Sequence, residues 1–187
     1  MQDWTRDNGR LVSELEANEA AVIRGLVGEI KDMLTARGQQ APQDELAELT
    51  GMRTGPNTPP QESVLARLLP DFIRPDRDSF EPEAEDADTA GALRSLHEPD
   101  LIDHKSGVAK TVLETCPEQG GAVSLTEDQA DSWLSAINDV RLALGTALDI
   151  SEETPEEPPE DQLQREHYYV YQWLTWVQDS MIRALTS

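Results

Sequence analysis

Two stretches of this chain cannot enter a core, and they confine folding to the segments between them. Residues 76–90 carry Asp76, Asp78, Glu81, Glu83, Glu85, Asp86 and Asp88 against a single base, Arg77. Residues 151–161 carry Glu152, Glu153, Glu156, Glu157, Glu160 and Asp161 with no base. Like-charged, proline-containing segments bury too little apolar surface to offset chain entropy. Both are expected to be acidic flexible linkers inside one domain spanning residues 1–187. The expected fold class is mainly α (α+β): a multi-helix domain with a small antiparallel sheet, made by an N-terminal hairpin and one later strand.

Outside these stretches the chain is still acidic. The whole sequence has 37 Asp+Glu against 15 Lys+Arg, a net charge of -22. Nucleic-acid affinity rests on Lys and Arg displacing counterions from phosphates, so direct binding to nucleic acid is disfavoured. Anionic lipid is disfavoured for the same reason. The one cysteine, Cys116, has no partner in these residues for a disulfide or a thiolate metal site. With no signal-peptide pattern and no apolar run near membrane length, the expected location is cytoplasmic.

The elements follow from pattern and punctuation. Asp7-Asn8-Gly9 is a hairpin turn signal, because Asn-Gly accepts the positive φ of a type I′ turn. It predicts a hairpin over Gln2 to Leu15. An isolated hairpin is marginal, so a third strand is expected at Gly121 to Leu125. Ile23, Leu26, Val27, Ile30, Met33 and Leu34 recur at helical spacing, predicting a helix from Ala17 to Arg37 with Gly38 as a left-handed cap. Short helices are expected at Gln43–Leu49 and Gln61–Leu69, the second stopped by Pro70. A Gly/Pro loop, Gly51 to Pro60, lies between them. Asp88–Leu96 and Pro99–Thr115 read as two separate helices, Pro99 being well placed at a first helical position. Thr126 and Gln129 form a capping box that opens a helix to about Leu148, striped by Trp133, Ile137, Val140, Leu144 and Leu148. A last helix is expected from Gln162 to Leu185.

That last helix has two apolar stripes. Tyr169, Trp173 and Trp176 form one; Val170, Leu174, Val177 and Met181 form the other, about 100° away. So wide an arc marks a central core helix or, in the sharper reading, a face for a protein partner.

The chemistry in the sequence is sparse. Cys116 is the candidate redox residue, but a helix C-terminus and the flanking Glu114 and Glu118 disfavour its thiolate. His97, His104 and His167 lack the i, i+4 spacing of a helical metal site. Arg53-Thr54-Gly55 lacks the run of a phosphate loop and reads as a turn. Asn138, Arg141 and Gly145 share the edge of an apolar arc. A half-buried arginine needs a partner, and an ion pair from Arg141 to Asp103 or Glu98 is expected. The alternative is a recognition pocket of His97, Asn138 and Arg141. No catalytic residue, cofactor or metal site is expected.

Several segments together carry a family resemblance. They are Asp44-Glu45-Leu46-Ala47-Glu48-Leu49-Thr50-Gly51, Leu68-Leu69-Pro70-Asp71-Phe72 with Arg74-Pro75-Asp76, Ala92-Leu93-Arg94-Ser95-Leu96-His97-Glu98-Pro99, and Asn138-Asp139-Val140-Arg141-Leu142-Ala143-Leu144-Gly145. The stretch Tyr168 to Gln178 is similar too. In this order they resemble an actinobacterial domain-of-unknown-function family, the AosR family of oxidative-stress transcriptional regulators. The resemblance implies a non-enzymatic cytoplasmic regulator that binds a stress sigma factor or RNA polymerase component and promotes transcription of cysteine-biosynthesis genes. It also implies an oxidation-dependent intramolecular disulfide through a C-x-x-x-C motif. Here the chain departs: no position matches that motif, and no redox residue is carried over.

Overall fold

The computed structural model describes residues 1–41, 53–73, 84–151 and 158–187. The short helix expected at Gln43–Leu49 lies outside the described residues, as do residues 76–83 and 152–157 of the two acidic stretches. The chain runs β1 (Thr5–Asp7), β2 (Arg10–Leu15), α1 (Ala17–Gly38), α2 (Ser63–Leu68), α3 (Ala84–Thr115), β3 (Gly121–Leu125), α4 (Glu127–Ala147) and α5 (Gln162–Thr186).

The sheet forms as the turn signal predicts. Asn8 and Gly9 take φ of 49° and 77°, and β1 pairs antiparallel with β2, Asp7 opposite Arg10. β3 then adds to the other edge of β2, Leu11 facing Leu125 and Leu15 facing Gly121. Because side chains alternate across a strand, Leu11, Leu15, Val123 and Leu125 share one face, and all four are buried. Below them sits Trp133 of α4, fully buried, with the Trp4 ring edge-on to it at 5.6 Å between centroids. Its indole N–H donates to Thr115 Oγ1 at 2.7 Å, so the ring's one polar atom is satisfied.

The helices assemble around α4. α1 turns Ala20, Ile23, Val27, Ile30 and Leu34 inward and packs on α3, while α2, α3 and α5 all contact α4. α5 supplies Leu174, Val177 and Met181 to the same core. Each such side chain contributes roughly 1.5–3 kcal/mol by leaving water. The Thr126 capping box is present: Thr126 Oγ1 accepts from the Gln129 amide at 3.3 Å, and Gln129 Oε1 accepts from the Thr126 amide at 2.9 Å.

Two expectations are corrected. Gly38 is the last residue of α1 and does not take a left-handed conformation; Gln39 caps the helix at φ -72°. More consequentially, residues 84–115 form one helix with Pro99 inside it, where two helices were expected. That helix also takes in residues 84–90 of the expected first linker. An internal proline cannot donate to the carbonyl four residues back, which is that of Ser95. Here the Gly55 amide takes that carbonyl at 2.7 Å, and Ser95 Oγ donates to Gly55 O at 2.8 Å. The loop around Arg53-Thr54-Gly55 thus supplies the hydrogen bond the proline removes. The approach is close: a Cβ on Gly55 would stand 3.1 Å from Pro99 Cγ, so the proline ring would have to give by a few tenths of an ångström.

Candidate functional site

The polar centre of the molecule is a buried ion network. Glu98 on α3 is fully inaccessible. Its Oε1 accepts from Arg37 Nε of α1 at 2.6 Å, and its Oε2 accepts from Arg94, one turn earlier on α3. Arg37 also donates to Thr58 O at 2.5 Å, and Arg94 to Leu69 O at 3.2 Å and Asp71 Oδ1 at 2.6 Å. One carboxylate therefore ties α1, α3, the loop before α2 and the turn after it. Sequence reasoning missed this network. The available signal was an i, i+4 Arg94–Glu98 pair that continues the Ile102 stripe of α3 into a buried face.

Arg141 does not make the expected ion pair. Glu98 is taken by Arg37 and Arg94, and Asp103 pairs with Arg53. Arg141 instead donates from Nε to Thr175 Oγ1 at 3.0 Å and from Nη1 to Gln178 Oε1, and lies 5.3 Å over the Tyr171 ring. It lines a cavity of about 340 Å³ with Arg67, Gly145, Thr146, Ile150 and Tyr171, among others. The three residues of the expected pocket do not converge. His97 is exposed and tilted against Phe72 at 5.7 Å, Asn138 is exposed, and neither lines the Arg141 cavity.

Cys116 lies just past the C-terminus of α3 and is 3 % exposed. Its thiol points at Ala20 O, 3.9 Å away. Burial pushes its pKa from 9.0 up to about 11, outweighing the pull of nearby Arg24 in the other direction. Arg24 is committed elsewhere: it donates to the carbonyls of Leu113 and Cys116 at 2.6 and 2.7 Å, closing the end of α3. A thiol raised from 9.0 to about 11 holds roughly 100-fold less thiolate at neutral pH. Modification by a disulfide reagent at pH 7.5 is therefore expected to run at least 100-fold slower on the folded protein than in denaturant. The sign for stability follows: the neutral thiol is the favoured buried form, so its contribution holds below pH 9 and is lost as pH rises from 9 towards about 11.

The two stripes of α5 separate. Leu174, Val177 and Met181 go to the core. Tyr169 is 56 % exposed, and Trp173 and Trp176 are half-buried against the core edge. Tyr169, Val170 and Trp173 line a shallow groove with Asn18, Glu19 and Val22 of α1. His104 and His167 are exposed. Among the described residues no cluster of three or more His, Cys, Asp or Glu is arranged to hold a metal ion. No described helix is long and apolar enough to cross a membrane.

The comparisons cover nearly the whole chain. The model of the family described as "Domain of unknown function (DUF2017)" matches residues 1–185. The protein named oxidative stress regulator AosR from Mycobacterium tuberculosis is 44% identical over 184 residues, covering 97% of this chain and 84% of that protein. Its namesake from Mycobacterium bovis matches to the same extent. A putative oxidative stress regulator AosR from Mycobacterium leprae is 41% identical, covering 97% of this chain and 85% of that protein. No solved structure matches.

Proposed function

The chain belongs to the family described as Domain of unknown function (DUF2017), and on that premise we propose that it is a non-enzymatic regulator of the oxidative-stress response. It acts by binding a protein, a stress sigma factor or another RNA polymerase component, in the cytoplasm. The observation that carries this reading is 44% identity across 97% of the chain to proteins named oxidative stress regulators. A net charge of -22 supports contact with a basic protein and argues against direct contact with DNA. The regulator works without an intramolecular disulfide, since Cys116 is the one cysteine in these residues and is buried.

The partner face in this reading is the outer stripe of α5, Tyr169, Trp173 and Trp176. Tyrosine and tryptophan anchor interfaces because they bring large apolar area with a polar edge. Tyr169→Ala is expected to weaken partner binding at least tenfold while leaving the thermal midpoint nearly unchanged, because its side chain already stands in solvent. Titration calorimetry beside a melting curve checks both halves of that statement.

The function is tested in cells with a reporter driven by a peroxide-induced promoter. In a strain lacking the protein, Cys116→Ser restores induction as fully as the wild-type chain. If neither restores it, the regulator reading is wrong. If only the wild type does, Cys116 carries the signal through another thiol partner.

A further inference from the structure

The cavity at the end of α4 holds an arrangement that neither the core nor the α5 face explains. Arg141 and Arg67 both line it, from α4 and the last turn of α2. In a chain with 37 carboxylates for 15 cations, several basic side chains find an acid, Arg24, Arg37, Arg94 and Lys105 among them, whereas Arg10 and Arg165 bond neutral oxygens. Arg141 meets only neutral groups, a hydroxyl, an amide oxygen and the Tyr171 ring, and among the described residues no ion pair joins it or Arg67 to a carboxylate. Nη2 of Arg141 makes none of these hydrogen bonds, which use Nε and Nη1.

Two features of the cavity oppose an anion, and both are limited. Asp149 lines it as well, and takes part in an interaction of its own. The negative end of α4 is also near. The Ile150 amide, however, donates to Gly145 O at 2.8 Å and the Asp149 amide to Thr146 O at 3.2 Å. With Asp149 at φ 54°, this closing turn already occupies the carbonyls of Gly145 and Thr146. A helix end amounts to roughly half a charge, so the two guanidinium groups outweigh it and Asp149 together.

From this geometry we infer that the Arg67–Arg141 cavity binds a small oxyanion ligand, its negative group between the two guanidinium forks and its body against Tyr171. About 340 Å³ suits a metabolite and is too small for a folded partner. Thr175 and Gln178 hold the Arg141 fork in place before the ligand arrives, which lowers the ordering cost of binding. Gly145 keeps the wall low: a Cβ there would stand 3.6 Å from the Tyr171 ring.

The test is an amide NMR titration of the full chain with two probes, inorganic phosphate and benzoate, each against sodium chloride at matched ionic strength. Saturable shifts at Gly145, Thr146 and Ile150 are expected with at least one probe. Arg67→Gln, on an exposed side chain that leaves the fold intact, is expected to weaken them at least fivefold. Phosphate alone saturating assigns a tetrahedral anion; benzoate alone or more tightly assigns a carboxylate on a flat body. Shifts that do not saturate with either probe, or that Arg67→Gln leaves unchanged, overturn the inference.

Discussion

Replacing Glu98 with Ala is expected to cost about 3–5 kcal/mol of unfolding free energy, because it removes the carboxylate between two buried guanidinium groups, leaving Arg37 with neutral acceptors and Arg94 with the half-exposed Asp71. Arg37 and Arg94 are 5 % and 2 % exposed, and neither can swing to water without leaving the core. For a chain of this length the melting temperature should fall by roughly 10 °C. Glu98→Gln retains one acceptor oxygen but turns an N–H toward the other arginine, so it sits lower in that range. Replacing Arg37, Arg94 and Glu98 together with apolar residues of similar length recovers most of the loss, since the desolvation cost leaves with the charges. Urea unfolding followed by circular dichroism separates these cases. Asp131→Asn, on an exposed carboxylate, shifts the midpoint by less than ~0.5 kcal/mol and serves as the control.

The second large effect is at Gly120, where the chain enters β3. Its φ is 73°, and an added Cβ would stand 2.7 Å from Leu15 O, Glu16 C and Ala17 N. These are backbone atoms at the joint between β2 and α1, so no side chain can swing away. Gly120→Ala is expected to cost roughly 3 kcal/mol, summing left-handed strain with a forced backbone shift. Gly9 has a similar φ of 77°, but a Cβ added there would meet nothing within 4 Å. Gly9→Ala should therefore lose only the conformational part, about 1–2 kcal/mol. The difference between the two midpoints measures the steric part alone.

These positions also show what the residues disclose before folding. Asn8-Gly9 and the Thr126–Gln129 box are local signals, and the structure follows both, because their physics is complete within a few residues. The helix through Pro99 was not legible. The local rule says stop, and what overrides it is an amide far earlier in the chain, at Gly55, which takes the Ser95 carbonyl. The Arg141 partner was misassigned for a related reason. Counting acids near an arginine cannot reveal that Glu98 is already claimed by Arg37 from another helix. The Arg67–Arg141 cavity was legible only in part: Arg141 and Gly145 stand out on one edge of α4, but Arg67 joins them only once α2 packs on α4. In each case the deciding contact is long in sequence and short in space.

The central claim is regulation through a protein partner without a cysteine switch, and a pull-down tests it most directly. The purified chain and its Cys116→Ser variant are exposed to lysate from their own source cells, before and after peroxide, at low and high salt. The account predicts the same sigma factor or polymerase subunit on both baits, in both redox states, retained at low salt and shed at high salt. The absence of any polymerase component, or one captured only after peroxide and only by the chain that keeps Cys116, would contradict it.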